Sequence, residues 1–422
     1  MIKKILKHTR NLLLVILGIG SLYIINLFFM KPYSIDHFLG KELVLSLIDS
    51  PEALTYIGIF DKFNWLTKHN SKLTVPEEGD IEDEINKTQE IIKTLYKYDD
   101  NNLSDTQKIS RKIAIFDYEN NLKELKEFPH NDYPLNQIGG IHLNTIEFMS
   151  DMHPVRNKSE ADDFIKRVNL IKNVYEGLIE DLEKQSLAEI YPPEFVYERV
   201  IDQLDEFINY SYDEHPLYSQ FIKKIELLDL NKTEREKYKK DIRIAIDVSV
   251  TPGFKLLRSF MLKTQKYANE YHGVWSQPNG DEFYKLKIRT FTTTDYSPEE
   301  IHQMGLNEVK RISTRMKEIL VSLGYDKSKT VGELMNELNE NPDFLYEDTP
   351  DRKERVVNDY TDMVNEAIDV MADYFHTMPK AGVIVKAVPE YSEQSAAGGY
   401  YQAPALDGSR PGVFYANLYD IK

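Results

Sequence analysis

The chain has 422 residues, of which 41% are hydrophobic and 29% charged, a composition typical of folded proteins and a length sufficient for a sizeable core. The formal net charge of −17 argues against a nucleic-acid backbone as the main partner, because such partners require positive surfaces. The sequence contains no cysteine, which excludes a disulfide scaffold, thiolate catalysis and cysteine-ligated zinc.

The N-terminal segment, residues 1–34, predicts a membrane anchor. A basic leader precedes an uncharged, apolar run over residues 11–30, and about 20 helical residues match a hydrocarbon core of ~30 Å. The basic flank is expected to stay in the cytoplasm, so the remaining chain is expected outside it, as a single-pass protein of the cytoplasmic membrane. The alternative is a signal peptide that is cleaved on export.

Residues 35–380 predict a body of amphipathic helices, because apolar residues recur at helical spacing with charged residues opposite. The clearest helix starts at Ser297 as N-cap, followed by Pro298 and by Glu300, which completes a capping box. Leu306 is expected on the buried, apolar face of this helix. The predicted helical runs span residues 82–99, 104–128, 159–185, 193–210, 217–230, 232–248, 251–270, 297–324 and 351–376.

Strand signals are confined to residues 381–422. β-branched residues cluster in residues 381–391, and two further strand-like segments, 398–406 and 411–419, flank a turn sequence, DGSRPG, at residues 407–412. These elements predict a mainly α fold, in which a large multi-helix body carries a small C-terminal β-sheet.

No catalytic or metal-binding motif follows from composition and spacing. None of the ten histidines belongs to an H-E-x-x-H pair, and no two stand four apart on a helix, so the sequence has no helical zinc pair. His142 and Glu147 are five residues apart, which suits one helical face poorly, and both are interpreted as packing and turn residues. Serine-nucleophile elbows, Walker loops and dinucleotide fingerprints are also absent. These features alone name no reaction.

Three stretches together resemble the bacterial family known as domain of unknown function 885. They are SPEALTYIGIFD at residues 50–61, residues 272–312, and residues 395–417. The second is the most specific, with a Gly-x-Trp, a Pro-x-Gly and a Thr-rich, strand-like piece before the Ser297 helix. The likeness covers residues 35–422. It implies a gluzincin-like channel architecture, largely helical with a small sheet beside a zinc helix, and hydrolysis of peptides by zinc-activated water.

The sequence departs from the family pattern at one end. In the family, the strand matching residues 411–420 is followed by a helix with a His-Glu-Ala…Pro-Gly-His-His zinc motif, whereas this chain ends at Lys422. Residues 381–422 are therefore expected to form an incomplete catalytic domain. Zinc is expected for the full-length family and not for this chain, which is expected to be the N-terminal part of a membrane-anchored zinc metallopeptidase and inactive by itself. The alternative is a non-catalytic binding or scaffold protein of the envelope.

Substrate-binding residues are expected in the C-terminal strands, and no catalytic or metal-binding residue is assigned. Gluzincin chemistry needs oxyanion donors and a strand edge for the peptide backbone, and Tyr400, Tyr401 and Tyr415 are candidate donors. Arg410 is a candidate partner for a substrate carboxylate. The alternatives are that tyrosine is simply common in strands and that Arg410 fixes the turn. The expected partners are a peptide substrate and the membrane through residues 11–30, with no nucleic acid.

Overall fold

The computed structural model describes residues 2–268, 270–390, 393–394, 396–406 and 408–421, and within the first helix it describes the side chains of residues 11, 14–15 and 18–29. The α-helices are α1 Ile2–Phe29, α2 Ile35–Ile48, α3 Pro51–Ile57, α4 Asn64–Thr67, α5 Asp80–Leu95, α6 Asp105–Glu127, α7 Ile141–Glu147, α8 Lys158–Val168, α9 Ile171–Leu187, α10 Glu194–Asn209, α11 Pro216–Glu226, α12 Lys232–Ala245, α13 Thr251–Thr264, α14 Gly280–Thr292, α15 Pro298–Ser322, α16 Val331–Asn339 and α17 Arg352–Met371.

Two helices change pitch along their length. A π-helical segment, Phe148–Met152, continues α7, and another, Ile246–Val250, joins α12 to α13. Short 3₁₀ turns lie at Asp61–Phe63, His69–Ser71, Asp100–Asn102, Gln265–Tyr267, Val274–Ser276 and Pro342–Phe344. The strands are β1 Val383–Ala387, β2 Gly399–Gln402 and β3 Gly412–Ala416. The expectation of a mainly helical fold with a small C-terminal sheet is confirmed.

Local sequence signals set where several helices begin and end. Ser297 accepts a hydrogen bond from the Glu300 N–H, and the Glu300 carboxylate accepts one from the Ser297 N–H at 2.8 Å. The same reciprocal pair forms at the start of α6, between Ser104 and Gln107. Gly324 lies just after α15 at φ +93°, a left-handed conformation that glycine adopts without a Cβ clash. The predicted capping box is thus confirmed.

The largest hydrophobic core lies among helices α8 to α13. Phe164 of α8 stacks on Phe221 of α11 with ring centroids 4.6 Å apart. Tyr175 of α9 is fully buried. Gly253 of α13 lets the two helices approach closely at this point, because a Cβ atom there would lie 2.8 Å from the Tyr175 ring. These contacts form a densely packed core, and the remaining elements pack around it.

Arg167 joins α8 to the segment that follows α3. The side chain is fully buried, and its guanidinium donates to the carbonyl oxygens of Lys72 at 2.6 Å and His69 at 2.8 Å and to the Thr55 hydroxyl at 3.0 Å. Burial lowers the pKa of Arg167 to about 10, and the nearby carboxylate of Glu52 partly opposes this effect. Arg167 therefore holds the segment of residues 55–72 against the core.

The C-terminal sheet has the order β1-β3-β2, with β1 parallel and β2 antiparallel to β3. Helix α17 covers one face of the sheet, where Val356 packs against Ala416 and the Tyr360 ring meets Phe414 edge-on at 6.0 Å. The turn between β2 and β3 includes Gly408 at φ +77°, and Asp407 of the predicted turn lies outside the described residues. The three strands fall within the three predicted segments.

Two local expectations are not met. The Thr-rich piece predicted as strand-like belongs to α14, which continues to Thr292 and ends at Thr293 with φ +54°. Leu306 was expected in the core but is 50% exposed, because no described element packs on that part of α15. Residues 11–29 lie in α1, yet no helix in the described portion of the chain combines the length and apolar character needed to span a bilayer. The membrane anchor over residues 11–30 stays a prediction.

Candidate functional site

The face of the sheet opposite α17 carries a row of polar side chains. Lys386 of β1 and Tyr400 of β2 are both register partners of Tyr415 on the central strand β3, so the three side chains share one face. The Tyr400 and Tyr415 rings stack with centroids 4.9 Å apart and planes 22° apart. Tyr415 is only 2% exposed. The strand register therefore places two phenol groups and one ammonium side by side.

The facing wall is the helix formed by α7 and its π-helical continuation. Gly140 precedes α7 and packs directly on the preceding turn, since a Cβ atom there would lie 2.5 Å from the Asn136 carbonyl oxygen. Glu147 ends α7 and Asp151 lies one turn later in the π segment. π-helical turns are rare and often occur at functional sites. The Tyr400 hydroxyl donates to Glu147 Oε1 at 3.5 Å, which joins the two walls.

Burial changes the acidity of both carboxyl groups. The pKa of Glu147 is raised by burial and then by the negative charge of Asp151, while the bond from Tyr400 lowers it. The pKa of Asp151 is also raised by burial, although the positive charges of Lys224 and Lys386 oppose that shift. Carboxyl groups with raised pKa values exchange protons nearer to neutral pH, as general acids and bases do.

Lys224 of α11 completes the charge balance of the site. Burial lowers its pKa to about 8, although the carboxylate of Asp151 favours the charged form. Its ammonium donates to the carbonyl oxygen of His153 at 2.9 Å. With Glu147, Asp151, Lys224 and Lys386 together, the site contains two acids and two amines. We refer to these four residues with Tyr400 and Tyr415 as the sheet-face cluster.

Two polar atoms of the cluster are buried without a well-formed hydrogen bond among the described residues. Tyr415 Oη lies next to the Asp151 carboxylate, whose charge raises the tyrosine pKa after the larger effect of burial. The two groups affect each other's pKa as hydrogen-bond partners do, lowering that of Asp151 and raising that of Tyr415. The geometry of this contact does not complete the bond, however, so among the described residues neither Tyr415 Oη nor Asp151 Oδ2 has a well-formed hydrogen bond. A buried donor or acceptor without a partner costs about 1–3 kcal/mol. A polar ligand that bonds to these atoms would recover this energy.

The four residues expected from the sequence do not all meet at one place. Tyr400 and Tyr415 lie together in the cluster. Tyr401 pairs with Phe414, lies on the opposite face of the sheet and is 54% exposed. Arg410 donates to the carbonyl oxygen of Tyr56 at 2.6 Å, and its guanidinium lies over the Tyr56 ring at 5.1 Å. Arg410 thus ties the turn to α3, and its role toward a substrate remains a prediction, as does that of Tyr401.

The acidic and basic members of the cluster were not identified from the sequence. Glu147 was interpreted as a packing or turn residue beside His142. The sequence feature that could have identified the acids is the pair Glu147 and Asp151, which stand four residues apart inside the mainly apolar run IEFMSDM. Lys224 and Lys386 carry no such signal, because only the tertiary fold brings α11 and β1 to this helix.

The cluster does not form a zinc site. Zinc requires three protein ligands or more, usually His, Asp, Glu or Cys, and among the described residues no group of three such side chains is placed to hold a metal ion. The two buried histidines nearby are engaged with the protein. His142 Nε2 lies 2.9 Å from Gln203 Oε1, and His153 Nε2 lies 2.9 Å from the Asn70 carbonyl oxygen. Burial lowers the pKa of His142 to about 4. Zinc for the full-length family, with none in this chain, stays a prediction.

Two solved structures, each described as a "putative lipoprotein", share this fold. The protein from Colwellia psychrerythraea matches with a TM-score of 0.82 and 27% sequence identity, over 89% of this chain and 65% of that chain. The protein from Shewanella oneidensis, described as of unknown function, matches with a TM-score of 0.55 and 14% identity, over 92% of this chain and 65% of that chain. The chain thus spans slightly less than two thirds of each.

The family expectation is confirmed at the level of membership. No curated protein matches the sequence. The sequence pattern of a family described as bacterial proteins of unknown function, DUF885, matches residues 51–422. Because this match covers most of its length, the chain belongs to the DUF885 family.

Proposed function

We propose that the chain supplies the substrate-binding side of a peptide hydrolase of the bacterial envelope. The observation that carries this proposal is the sheet-face cluster, in which Tyr415 and Asp151 lie together and hold buried polar atoms that have no well-formed hydrogen bond among the described residues. A peptide offers carbonyl oxygens and N–H groups that match these atoms. Tyr415 would donate to a substrate carbonyl oxygen, and the Asp151 carboxylate would accept from a substrate N–H.

The sheet can also hold the peptide backbone. Strand β2 is an outer strand of the sheet, and an extended peptide can add to such an edge through main-chain hydrogen bonds. Tyr400 projects from this strand toward Glu147. A peptide on the β2 edge would therefore lie next to the acids of the cluster, whose raised pKa values suit proton exchange with a substrate.

Hydrolysis itself is proposed to require zinc, as the family resemblance implies. Zinc lowers the pKa of bound water from 15.7 to about 7 and thereby produces the attacking hydroxide. Since no metal-ligand group exists among the described residues, we propose that these 422 residues bind peptide without cleaving it. The metal-binding helix would come from family sequence that this chain does not contain.

An envelope location is proposed from two observations. The first is the basic leader and apolar run of residues 1–34, which suit export either as a retained anchor or as a cleaved signal. The second is that the Colwellia psychrerythraea protein, which shares the fold at 27% identity, is described as a "putative lipoprotein". Membrane fractionation of cells that express a C-terminally tagged chain tests this location.

Calorimetry tests the proposed function. It measures how tightly the purified chain binds a defined mixture of short peptides. Tyr415→Phe keeps the ring stack but removes the hydroxyl, and it should weaken binding by about tenfold, the size of one good hydrogen bond. Tyr374→Phe is the matched control, since it removes the same hydroxyl from a tyrosine that lies outside the cluster and is 77% exposed, and it should leave binding unchanged. Equal binding by wild type and Tyr415→Phe would contradict the proposed site.

A second candidate function is a non-catalytic envelope binding protein. The absence of a metal-ligand group among the described residues favours it. Metal analysis after dialysis and mass spectrometry of the incubated peptides separate the two. One tightly held zinc per chain with chelator-sensitive cleavage would show that the described side chains are a complete metallopeptidase, against both proposals. Cleavage that arises only when the remaining family sequence is supplied favours the hydrolase.

A further inference from the structure

Helix α15 carries an apolar stripe that the described elements leave mostly exposed, although the helix also packs against α16 and Met316 is half-buried. Val309, Ile312, Met316, Ile319 and Leu323 follow one another at alternating spacings of three and four residues, which places them on one side of the helix. We call these five residues the α15 stripe. Val309 is 64% exposed, Ile312 46% and Leu323 68%.

This exposure contrasts with that of the core helices, although α6 and α17 also bury few of their apolar residues completely. Helices of the core, such as α9 and α10, bury their apolar stripes almost completely, whereas α15 buries only Leu320 among its 25 residues. Amphipathic helices gain most of their stability from burial of the apolar face, and soluble proteins rarely leave such faces open unless they bind a partner. The α15 stripe is therefore suited to an interface.

The charges beside the stripe are already neutralised within the helix. Arg311 pairs with Glu308 at 2.7 Å, and Arg315 pairs with Glu318 at 2.9 Å. A partner therefore gains little from opposite charge and must supply apolar side chains. The alternating spacing is the one with which a second helix interlocks, so the partner chemistry that fits is an amphipathic helix.

The comparisons indicate where this helix comes from. α15 lies within the family match, residues 51–422, and the Colwellia protein shares the fold with a TM-score of 0.82 while this chain covers only 65% of it. The other 35% of that protein is polypeptide with no counterpart here. We propose that the α15 stripe is the docking surface for an amphipathic helix of this remaining family segment. The proposal is independent of the peptide chemistry proposed above.

A fusion that is cut after folding tests the proposal. The full 422-residue chain is joined, through a protease-cleavable linker, to the Colwellia segment that lies outside the match. After cleavage the two pieces should migrate as one complex in size-exclusion chromatography with light scattering. Amide hydrogen exchange over residues 298–323 should be at least tenfold slower in the complex than in the chain alone.

Matched variants on two sides of the same helix complete the test. Val309→Asp with Ile312→Asp, on the stripe, should abolish the complex. Asn307→Asp with Thr314→Asp, on the opposite side of α15, should leave it intact. Separation of the cleaved pieces, or a complex that both double variants retain with unchanged exchange over residues 298–323, would overturn the proposal. So would a homodimer of the chain alone that only the stripe variant dissociates, since the stripe would then bind a second copy.

Discussion

The Tyr400 hydroxyl donates to Glu147 Oε1 across 253 residues of sequence, at 3.5 Å. This contact joins the C-terminal sheet to the last residue of α7, and it places a phenol beside a carboxyl group whose pKa is raised mainly by burial. Substitution of Glu147 therefore tests the whole cluster, because it should stabilise the fold and weaken peptide binding.

Glu147→Gln should stabilise the fold at neutral and alkaline pH while it weakens peptide binding. The folded pKa of Glu147 lies above its ordinary value of 4.5, so the folded state holds the proton more tightly than the unfolded state does. Its contribution to stability is therefore present at low pH and decreases as pH rises from 4.5 through the folded pKa. Thermal melts between pH 4 and 8.5 should show a gain of about 1–3 °C for the variant above the folded pKa.

The exposed acid Glu366 on α17 is the matched control, since Glu366→Gln removes the same charge from a solvated position. Its melting temperature should follow that of wild type at every pH. A variant Glu147→Gln that loses stability throughout the pH range would contradict the assignment of Glu147 to a site that penalises its ionised form.

Lys224→Met should remove a rise in stability at alkaline pH. Burial lowers the folded pKa of Lys224 to about 8 from the ordinary 10.5, so above pH 8 the folded state releases a proton that the unfolded state retains. The free energy of unfolding that Lys224 contributes thus increases between pH 8 and 10.5. Denaturant titrations at pH 8 and 10 should show this increase in wild type and a smaller one in the variant.

The adjacent exposed residue provides the comparison. Lys223→Met should keep the wild-type pH dependence. If Lys223→Met and Lys224→Met lose the same alkaline increment, the effect belongs to surface charge in general and not to the buried ammonium of the cluster.

Arg167→Met should destabilise the body by about 3 kcal/mol or more, because it leaves the buried carbonyl oxygens of Lys72 and His69 and the Thr55 hydroxyl without their donor. Guanidinium unfolding measures this loss. Arg311→Met removes an exposed guanidinium that pairs only along α15, and it should change stability by less than about 0.5 kcal/mol. Similar losses in the two variants would show that Arg167 does not hold the segment of residues 55–72.

A pair of substitutions on α15 distinguishes buried from exposed apolar residues. Leu320 is 4% exposed and Leu306 is 50% exposed. Leu320→Asp should cost about 3–5 kcal/mol, because it buries a charge without a partner. Leu306→Asp should cost less than about 0.5 kcal/mol. Circular-dichroism melts of both variants compare them directly, and an unfolded Leu306→Asp protein would indicate that α15 packs against the body in solution.

The sequence predicted the elements better than their arrangement. Capping residues such as Ser297 act over three residues, so the start of α15 follows from local chemistry alone. The exposure of Leu306 does not, since amphipathic spacing indicates that a face is apolar but not whether anything covers it. Likewise the strands were located by their β-branched and aromatic residues, whereas the order β1-β3-β2 depends on pairings between distant segments.

The candidate site shows the same limit. Tyr400 and Tyr415 could be named as candidates because the strand segments are visible in sequence and the family resemblance calls for hydroxyl donors there. The same reasoning also named Tyr401, however, which lies on the opposite face. Glu147 and Asp151 were missed, because an acid becomes informative only when its surroundings are known to exclude water. The contact that unites these residues spans 253 positions, and no periodic pattern reports an interaction of that range.

The strand order also has a consequence for biosynthesis. β3 pairs with both β1 and β2, yet it follows both of them in the sequence. On the ribosome the two outer strands therefore emerge without a neighbour, and the central strand arrives afterwards to receive hydrogen bonds on both sides. Until then Glu147 and Asp151 face water and ionise as ordinary acids. A nascent chain stalled before Gly412 would thus carry a folded helical body but no binding surface, and the helical body and the sheet would mature as two separate events.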